Sequence, residues 1–435
     1  MSQAAVIRWH KGGEAPLLDD AEYVHENNAL DVVDENACLC PDSECGRRER
    51  PIGDEGSLGD LYRSVKINRG EGRSFLSRLY DFAGPGALVA VGYMDPGNWA
   101  TDLAAGSAYN YSLLFVILFS SILAMFLQEL SLRLGHAARL DLAQACKQHF
   151  SRPVSIFMWI TAEIAIAACD LAEVVGSAIA MKLLFGIPLM WGVAITACDV
   201  LLLIAWGGKS MRCVEITILV FMLVIFTCFV IEIWFAQPDV WSMLRGVVTP
   251  PSHLFSDQKM LLISVGILGA TVMPHNLYLH SSIVQSRDVG LDRGSVQSAI
   301  FFSTIDSNLA LSFSFFVNAS IIILAAATFY RSGHTEVTDI DQAYIMMSSL
   351  LGKEASSTLF AVALLASGQQ STITGTLAGQ IVMEGFVEWS IAPWKRRLLT
   401  RIVAIAPAVA VVSLFGDRGV TALLVRAPYL CPCFY

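Results

Sequence analysis

The chain has 435 residues, of which 54% are hydrophobic and only 15% are charged. Its mean hydropathy of +0.56 is typical of a helical membrane protein with several spans and excludes an ordinary soluble domain. The formal net charge of −9 does not indicate nucleic-acid binding, because the acidic excess lies largely in the polar N-terminal region. We therefore expect a lipid bilayer around the chain and no nucleic-acid partner.

Residues 1–75 are polar and predict a disordered cytosolic N-terminal tail. Residues 1–30 contain no apolar core, so no cleavable signal peptide is expected. Cys38, Cys40 and Cys45 lie close together, but no second cysteine pair or nearby histidine completes a zinc pattern. The role of these cysteines, and of Cys431 and Cys433, stays open.

About ten apolar segments follow the tail, each near the roughly 20 residues that a helix needs to cross a bilayer. They lie at 82–108, 112–135, 154–184, 187–206, 213–236, 259–285, 302–330, 355–387, 399–415 and, incompletely, 418–430. This pattern predicts an all-α polytopic membrane protein.

Basic residues concentrate in the even-numbered connections between these segments. They are Arg133, Arg139, Lys147, Arg152, Lys209, Arg212, Arg287, Arg293, Lys395, Arg396 and Arg397. Positively charged connections tend to stay in the cytosol. The sequence therefore predicts a cytosolic N-terminus and cytosolic even connections, in a plasma, endosomal or vacuolar membrane that it does not specify.

The first segment contains a predicted helix break at Asp95-Pro96-Gly97-Asn98. Proline has no N–H, so Pro96 leaves the carbonyl of Gly92 without its helical partner. Within a bilayer such a break is tolerated where the backbone is buried in protein or lines a cavity. Asp95 and Asn98 offer oxygen ligands at this break, and an ionisable residue at that depth indicates a functional site.

The sixth segment contains a second break, where Pro274 frees the carbonyl of Ala270 and Met273 supplies a thioether three residues after Ala270. Two interrupted segments at corresponding places in two halves indicate an inverted-repeat transporter with a site at the membrane midplane. A carboxylate, an amide oxygen, a carbonyl and a thioether suit a transition metal or Cd²⁺ better than Ca²⁺ or Mg²⁺.

The third segment carries Glu163, Asp170 and Glu173 on one helical face. Carboxylates in an apolar span are costly unless they line a wet path or share protons. Asp170 and Glu173 fit either a proton route or a structural pair bridged to Arg401, and these two roles are compatible. We expect both to lie about two to three helical turns from the break, a spacing at which they act separately from the metal.

The motifs resemble those of the Nramp divalent-metal transporters over about residues 75–425, so we assign 76–425 as a transporter domain. The resemblance rests on the two breaks and on the stretches Asp170–Glu173, Ala366–Gln369 and Ser371–Thr376. It implies a LeuT-like fold of two inverted five-helix repeats with discontinuous helices 1 and 6. It further implies proton-coupled transport of Mn²⁺ or Fe²⁺ without a cofactor, an enzymatic activity or an obligate protein partner.

The same resemblance assigns roles to individual residues. The implied metal ligands are Asp95, Asn98, the carbonyl of Ala270, and Met273. The implied proton pathway contains His275, Asp170, Glu173 and Arg401; His280 lies in the same segment as His275 and could join it.

The end of the chain departs from the family pattern. Ala422–Val425 is followed by Arg426, Pro428 and Pro432, which make a poor membrane helix. We expect a divergent end at 426–435 and an incomplete tenth helix, as in a C-terminally truncated member. Alternatives are a non-transporting metal sensor or partner subunit, a related Mg²⁺ transporter, and a sodium-coupled solute symporter, whose substrate carboxylate Asp95 would repel.

Overall fold

A computed structural model describes residues 64–67, 73–196, 211–335, 337, 340–351, 354–387 and 395. Most of the N-terminal tail, the ninth and tenth segments, the 426–435 end and Arg401 lie outside these residues. The expectations about them stay predictions. Within the tail, residues 65–66 form a short strand.

The described chain is almost entirely helical. Its helices are α1 Phe75–Phe82, α2 Pro85–Val91, α3 Pro96–Tyr109, α4 Leu114–Ala138, α5 Leu142–His149, α6 Arg152–Phe185, α7 over residues 189–196, α8 Met211–Ala236, α9 Val240–Val248, α10 Gln258–Thr271, α11 Pro274–Ile283, α12 Arg293–Ala325, α13 Ile340–Leu351 and α14 Glu354–Val387. Strands β1 Val65–Lys66 and β2 Arg287–Asp288 pair in parallel. Predicted segments two, three, five, six and seven each correspond to a helical stretch long and apolar enough to cross a membrane.

The two predicted breaks are present. Between α2 and α3, a 3₁₀ turn at Gly92–Met94 leads to Asp95, whose backbone is extended (φ −70°, ψ 164°). Between α10 and α11, Met273 is likewise extended (φ −95°, ψ 119°). Proline at the first helical position requires no N–H acceptor, so each second half-helix begins at its proline. Asp95 and Met273 therefore occupy equivalent positions in the two halves.

Contacts between connecting segments show that successive spans cross from one side to the other. On one side, Arg212 and Arg287 both donate to the Ala83 carbonyl before α2, each at 2.7 Å. On the opposite side, the Tyr109 hydroxyl at the end of α3 donates to Asp257 before α10 at 2.9 Å. The N-terminal end of segment one thus shares its side with the connections after segments four and six.

The core is built around the broken spans. Helix α12 packs on α2, α3 and α4, while α14 packs along α6 and α8. The Trp99 ring of α3 contacts Phe229 of α8 and Phe360 of α14, with ring centroids 5.1 Å apart in both pairs. Such pairs bury large apolar areas and fix the position of α3 one residue beyond Asn98.

A buried ion-pair cluster holds the start of α2. Glu215 of α8 contacts Arg287 at 2.9 Å and Arg212 at 3.1 Å. Asp306 of α12 accepts the Gly86 N–H at 2.7 Å. The side chain of Arg287 is fully buried, whereas that of Arg212 is 31% exposed. The cluster therefore ties the first half-helix to α8, α12 and the segment after α11.

Removing Arg287 should be more damaging than removing Arg212. Arg287→Gln takes a cation from a buried pair and should lower the free energy of unfolding by about 3–5 kcal/mol. Arg212→Gln, at a partly solvated position, should have a clearly smaller effect. Thermal unfolding of both variants in detergent provides the measurement. An equal loss of stability in the two variants would show that the buried Arg287 contributes no more than the partly exposed Arg212.

Candidate metal centre

Asp95 and Asn98 form the first half of the candidate site. The Asp95 carboxylate accepts hydrogen bonds from the Asn98 backbone N–H at 2.9 Å and from Asn98 Nδ2 at 2.7 Å. It thereby caps α3 at the helix end that favours negative charge. The side-chain nitrogen of Asn98 is committed to Asp95, so its amide oxygen is the atom suited to bind a cation. Both residues are buried.

Ala270 and Met273 form the second half. Pro274 cannot donate to the Ala270 carbonyl, and the Met273 N–H donates instead to the Thr271 carbonyl at 3.2 Å. Neither nearby amide therefore occupies the Ala270 oxygen. Both residues are buried, which places a carbonyl and a thioether together in the protein interior.

Direct contacts bring the two breaks together. The backbone of Gly92 lies so close to the Asn276 side chain that a β-carbon at position 92 would overlap it. Helix α6 also touches both breaks: Cys169 Sγ lies 3.8 Å from Met273 Sδ, and Gly176 packs against Pro96. Glycine at 92 and 176 permits these close approaches. The four predicted ligands thus lie at two helix breaks that meet beside α6.

The donor set is mostly neutral. Among the residues that the structure describes, no three His, Cys, Asp or Glu side chains converge on one point. A cation at this place would therefore be held by the Asp95 carboxylate together with amide, carbonyl and thioether donors. The mixture of oxygen and sulfur suits ions softer than Mg²⁺ or Ca²⁺.

Side chains from α12 and α14 satisfy carbonyls that the first break exposes. Asn318 Nδ2 donates to the Tyr93 carbonyl at 2.7 Å, and the Ser367 hydroxyl donates to the Met94 carbonyl. The sequence analysis missed Asn318 and quoted Ser367 only as part of a motif. The sequence did contain a signal for Asn318, which is an amide side chain within an apolar span. A broken helix leaves carbonyls without their usual partners, so side chains of neighbouring helices must donate to them.

Asp170 and Glu173 converge on one point of α14. A β-carbon added at Gly375 would lie 3.3 Å from Asp170 Oδ1 and 3.2 Å from Glu173 Oε1. The expected separation of two to three turns from the break is too long, because Cys169, the residue before Asp170, already contacts Met273. Helix α6 packs directly against the break, whereas the sequence estimate placed it at a distance.

The two histidines of α11 have different surroundings. His275 is buried, and its Nδ1 has no hydrogen-bond partner. His280 Nδ1 lies 2.9 Å from Gln128 Oε1, and Gln128 Nε2 donates to the Tyr93 hydroxyl at 2.8 Å. His280 is thus linked through α4 to the first break, by residues that the sequence analysis did not select. Glu163 lies elsewhere on α6 and accepts from Trp159 at 3.1 Å.

Two facing broken spans, with extended residues before their prolines and polar groups at the crossing, define an integral membrane protein of the LeuT-like transporter class. Residues 86–430 match the family model "Natural resistance-associated macrophage protein-like". The chain belongs to this family, Nramp, as its motifs predicted.

Curated relatives agree with this assignment. The chain is similar to the divalent metal cation transporter MntH of Nostoc sp., with 51% identity over 369 residues that cover 85% of this chain and 83% of the relative. It is 52% identical over 348 residues to MntH of Mesorhizobium japonicum, covering 80% and 77% of the two chains.

Solved structures support the fold. The Eremococcus coleocola manganese transporter, in complex with an aromatic bis-isothiourea substituted compound, superposes with a TM-score of 0.79 at 40% identity, covering 86% of this chain and 80% of that one. Mhp1, a nucleobase-cation-symport-1 family transporter in a closed conformation, gives a TM-score of 0.56 at 15% identity, with coverage of 79% and 75%. This second likeness concerns the fold alone.

The Asn318 contact provides a test of how the first break is positioned. Asn318→Ala would leave the Tyr93 carbonyl without this donor and should cost about 1–3 kcal/mol in stability. Because the carbonyl lies two residues before Asp95, Mn²⁺ affinity should also fall, and calorimetry measures it. Asn308→Ala, on the same helix, serves as the control. Equal Mn²⁺ affinity in parent and Asn318→Ala protein would show that the contact does not position Asp95.

Proposed function

We propose that this chain transports divalent transition-metal ions, Mn²⁺ or Fe²⁺ in particular and Cd²⁺ as a further candidate, across a membrane together with protons. The observation that carries the proposal is the contact between the two breaks at Gly92 and Asn276. Asp95 and Asn98 belong to the first of these breaks, and Ala270 and Met273 belong to the second. The divalent-cation and manganese transporters named above support the choice of ion. The role is transport, and it requires no cofactor and no enzymatic step.

The four ligands would bind the ion as follows. An incoming ion exchanges part of its water shell for oxygen atoms from Asp95, Asn98 and Ala270 and for the sulfur of Met273. Asp95 supplies the negative charge, which compensates for the loss of water at a buried position. The thioether favours Mn²⁺, Fe²⁺ and Cd²⁺ over Mg²⁺. A single carboxylate limits the affinity, which suits an ion that must also be released.

The transport step would use the broken helices. Each half-helix ends or begins at the site, so a half can tilt without unwinding a continuous helix. The ion-pair cluster at the start of α2 and the Trp99 contacts on α3 hold the two halves to different neighbours. Movement of one half against the other would open the site to alternate sides.

The proton route would run beside the metal through Asp170 and Glu173, with His275 at the start of α11 and Arg401 as the cationic partner. The two carboxylates converge at Gly375 on α14. They belong to α6, which contacts the second break through Cys169 and Met273. Carboxylates that share a buried place in a span bind and release protons in response to nearby charge. An arriving metal ion would provide that charge.

The orientation would place the N-terminus in the cytosol. Basic side chains gather on one side of the molecule, where Arg139 donates to the Val289 carbonyl at 3.2 Å and Arg212 and Arg287 surround Ala83. Positively charged connections favour the cytosolic side. Metal ions, protons and surrounding lipid are then the interaction partners.

Asp95 should be essential for metal binding. Asp95→Ala leaves only neutral donors against a tightly held hydration shell, so Mn²⁺ binding should become unmeasurable in calorimetry on the purified protein. Asp257→Ala, which removes a carboxylate distant from the break, is the matched control and should retain binding. An unchanged Mn²⁺ affinity in Asp95→Ala would remove this residue from the site.

The proton route should be separable from metal binding. Glu173→Gln keeps the shape of the side chain but removes its exchangeable charge. Because Glu173 is not one of the four proposed ligands, Mn²⁺ affinity should fall much less than in Asp95→Ala. Mn²⁺ uptake into proteoliposomes should lose its stimulation by an imposed pH gradient. Glu163→Gln, on the same helix, is the control. A loss of metal affinity as large as that of Asp95→Ala would place Glu173 in the metal site.

A further inference from the structure

The thioether of Met273 has a second sulfur atom as a neighbour. Its sulfur lies 3.8 Å from the sulfur of Cys169, which belongs to α6 and precedes Asp170. Both side chains are buried and form a small cluster of their own. The sequence analysis did not select this cysteine, and the structure places it at the second break.

The distance between the two sulfurs has a chemical meaning. When one tetrahedral ion binds two sulfur ligands at about 2.3 Å each, as Zn²⁺ does, the sulfurs lie about 3.8 Å apart. The observed separation is 3.8 Å. The separation of the two sulfurs therefore matches that of two ligands of one ion, and a somewhat larger ion needs only a slight opening of the pair.

The surroundings hold Cys169 in this position. Seven residues further along α6, Gly176 packs against Pro96 of the first break. Between them, Asp170 and Glu173 are fixed against Gly375 of α14. The buried Nδ1 of His275, without a hydrogen-bond partner, lies two residues after Met273 on the same half-helix. The sulfur pair is thus buried next to polar groups, and Cys169 is not a loose surface thiol.

We propose that Cys169 is a further ligand of the metal centre and forms with Met273 a two-sulfur subsite for thiophilic divalent ions, Cd²⁺ and Zn²⁺. The inference rests on the proposed transport function and adds a specificity determinant to the same site. Cysteine binds metal as the thiolate, so the bond between Sγ and its proton breaks as the metal–sulfur bond forms, and the proton is released to solvent. Mn²⁺, a harder ion, relies on the oxygen ligands and gains little from this thiol.

Substitution of Cys169 should separate the two kinds of ion. Cys169→Ser replaces the sulfur with a hydroxyl, and the dissociation constant for Cd²⁺ should rise by about tenfold or more while that for Mn²⁺ changes less than about twofold. Calorimetry on the purified full chain measures both. The matched control is Cys228→Ser, which changes a different buried cysteine, on α8. This variant should bind both ions as the parent does.

A spectroscopic readout identifies the bond itself. Thiolate-to-Cd²⁺ charge transfer absorbs in the ultraviolet, so adding Cd²⁺ should produce a band in the parent and in Cys228→Ser, and a weaker one in Cys169→Ser. In the parent, excess Mn²⁺ should displace Cd²⁺ from the centre that Cys169 shares with Asp95. The band should then lose the same intensity that Cys169→Ser lacks. This measurement on the unmodified chain tests the proposal even where a variant fails to fold.

The outcomes distinguish the two proposals. Equal Cd²⁺ affinity and equal bands in parent and Cys169→Ser protein would overturn the role of Cys169 and leave the transport function intact. A Cys169→Ser protein that unfolds thermally like the parent but loses Mn²⁺ and Cd²⁺ equally would overturn the selective role. By contrast, a parent that binds no Mn²⁺, or binds it independently of Asp95, would contradict the transport function itself.

Discussion

The missing N–H of proline is the constraint on which the rest of this structure depends. Pro96 and Pro274 each remove one helical hydrogen bond at the depth of the membrane, where water cannot replace it. Each proline begins a new half-helix, and the residue before it, Asp95 or Met273, adopts an extended backbone. The ends created in this way expose carbonyl oxygens, which are groups that can bind a cation.

The neighbouring helices compensate for these breaks with polar side chains. Asn318 and Ser367 donate to carbonyls of the first break, while Asp95 caps its own half-helix. Helix α6 passes close to both breaks and brings a thiol and two carboxylates with it. The proposed metal ligands and the proposed proton-binding carboxylates therefore lie on elements that touch each other, an arrangement that allows electrostatic coupling over a short distance.

The polar cluster at the start of α2 adds a second constraint. Arginine and glutamate lose their hydration when they are buried. Removing one partner of such a pair destabilises the protein strongly, because the other charge is left buried and unpaired. Arg287 donates to the Ala83 carbonyl and pairs with Glu215, which ties the first half-helix to α8 and to the segment after α11. The first half-helix is thus supported at its far end as well as at the crossing.

The sequence by itself determined the membrane class, the two breaks and the residues beside them. A proline, a carboxylate within an apolar span, and apolar segments of about 20 residues are local features of the chain. They can therefore be recognised without knowledge of the fold. The family resemblance, later matched over residues 86–430, supplied the assignment of ligands and of the proton route.

Only the tertiary structure decided what faces the breaks. Asn318, Gln128 and Cys169 lie on separate helices, and nothing in their local sequence indicates which partner they meet. The distance from Asp170 to the metal centre was overestimated because the close approach of α6 depends on Gly176 packing against Pro96. Contacts between elements distant in sequence are set by helix packing. The apolar pattern of one helix shows which face is buried, but it does not show which helix packs against that face.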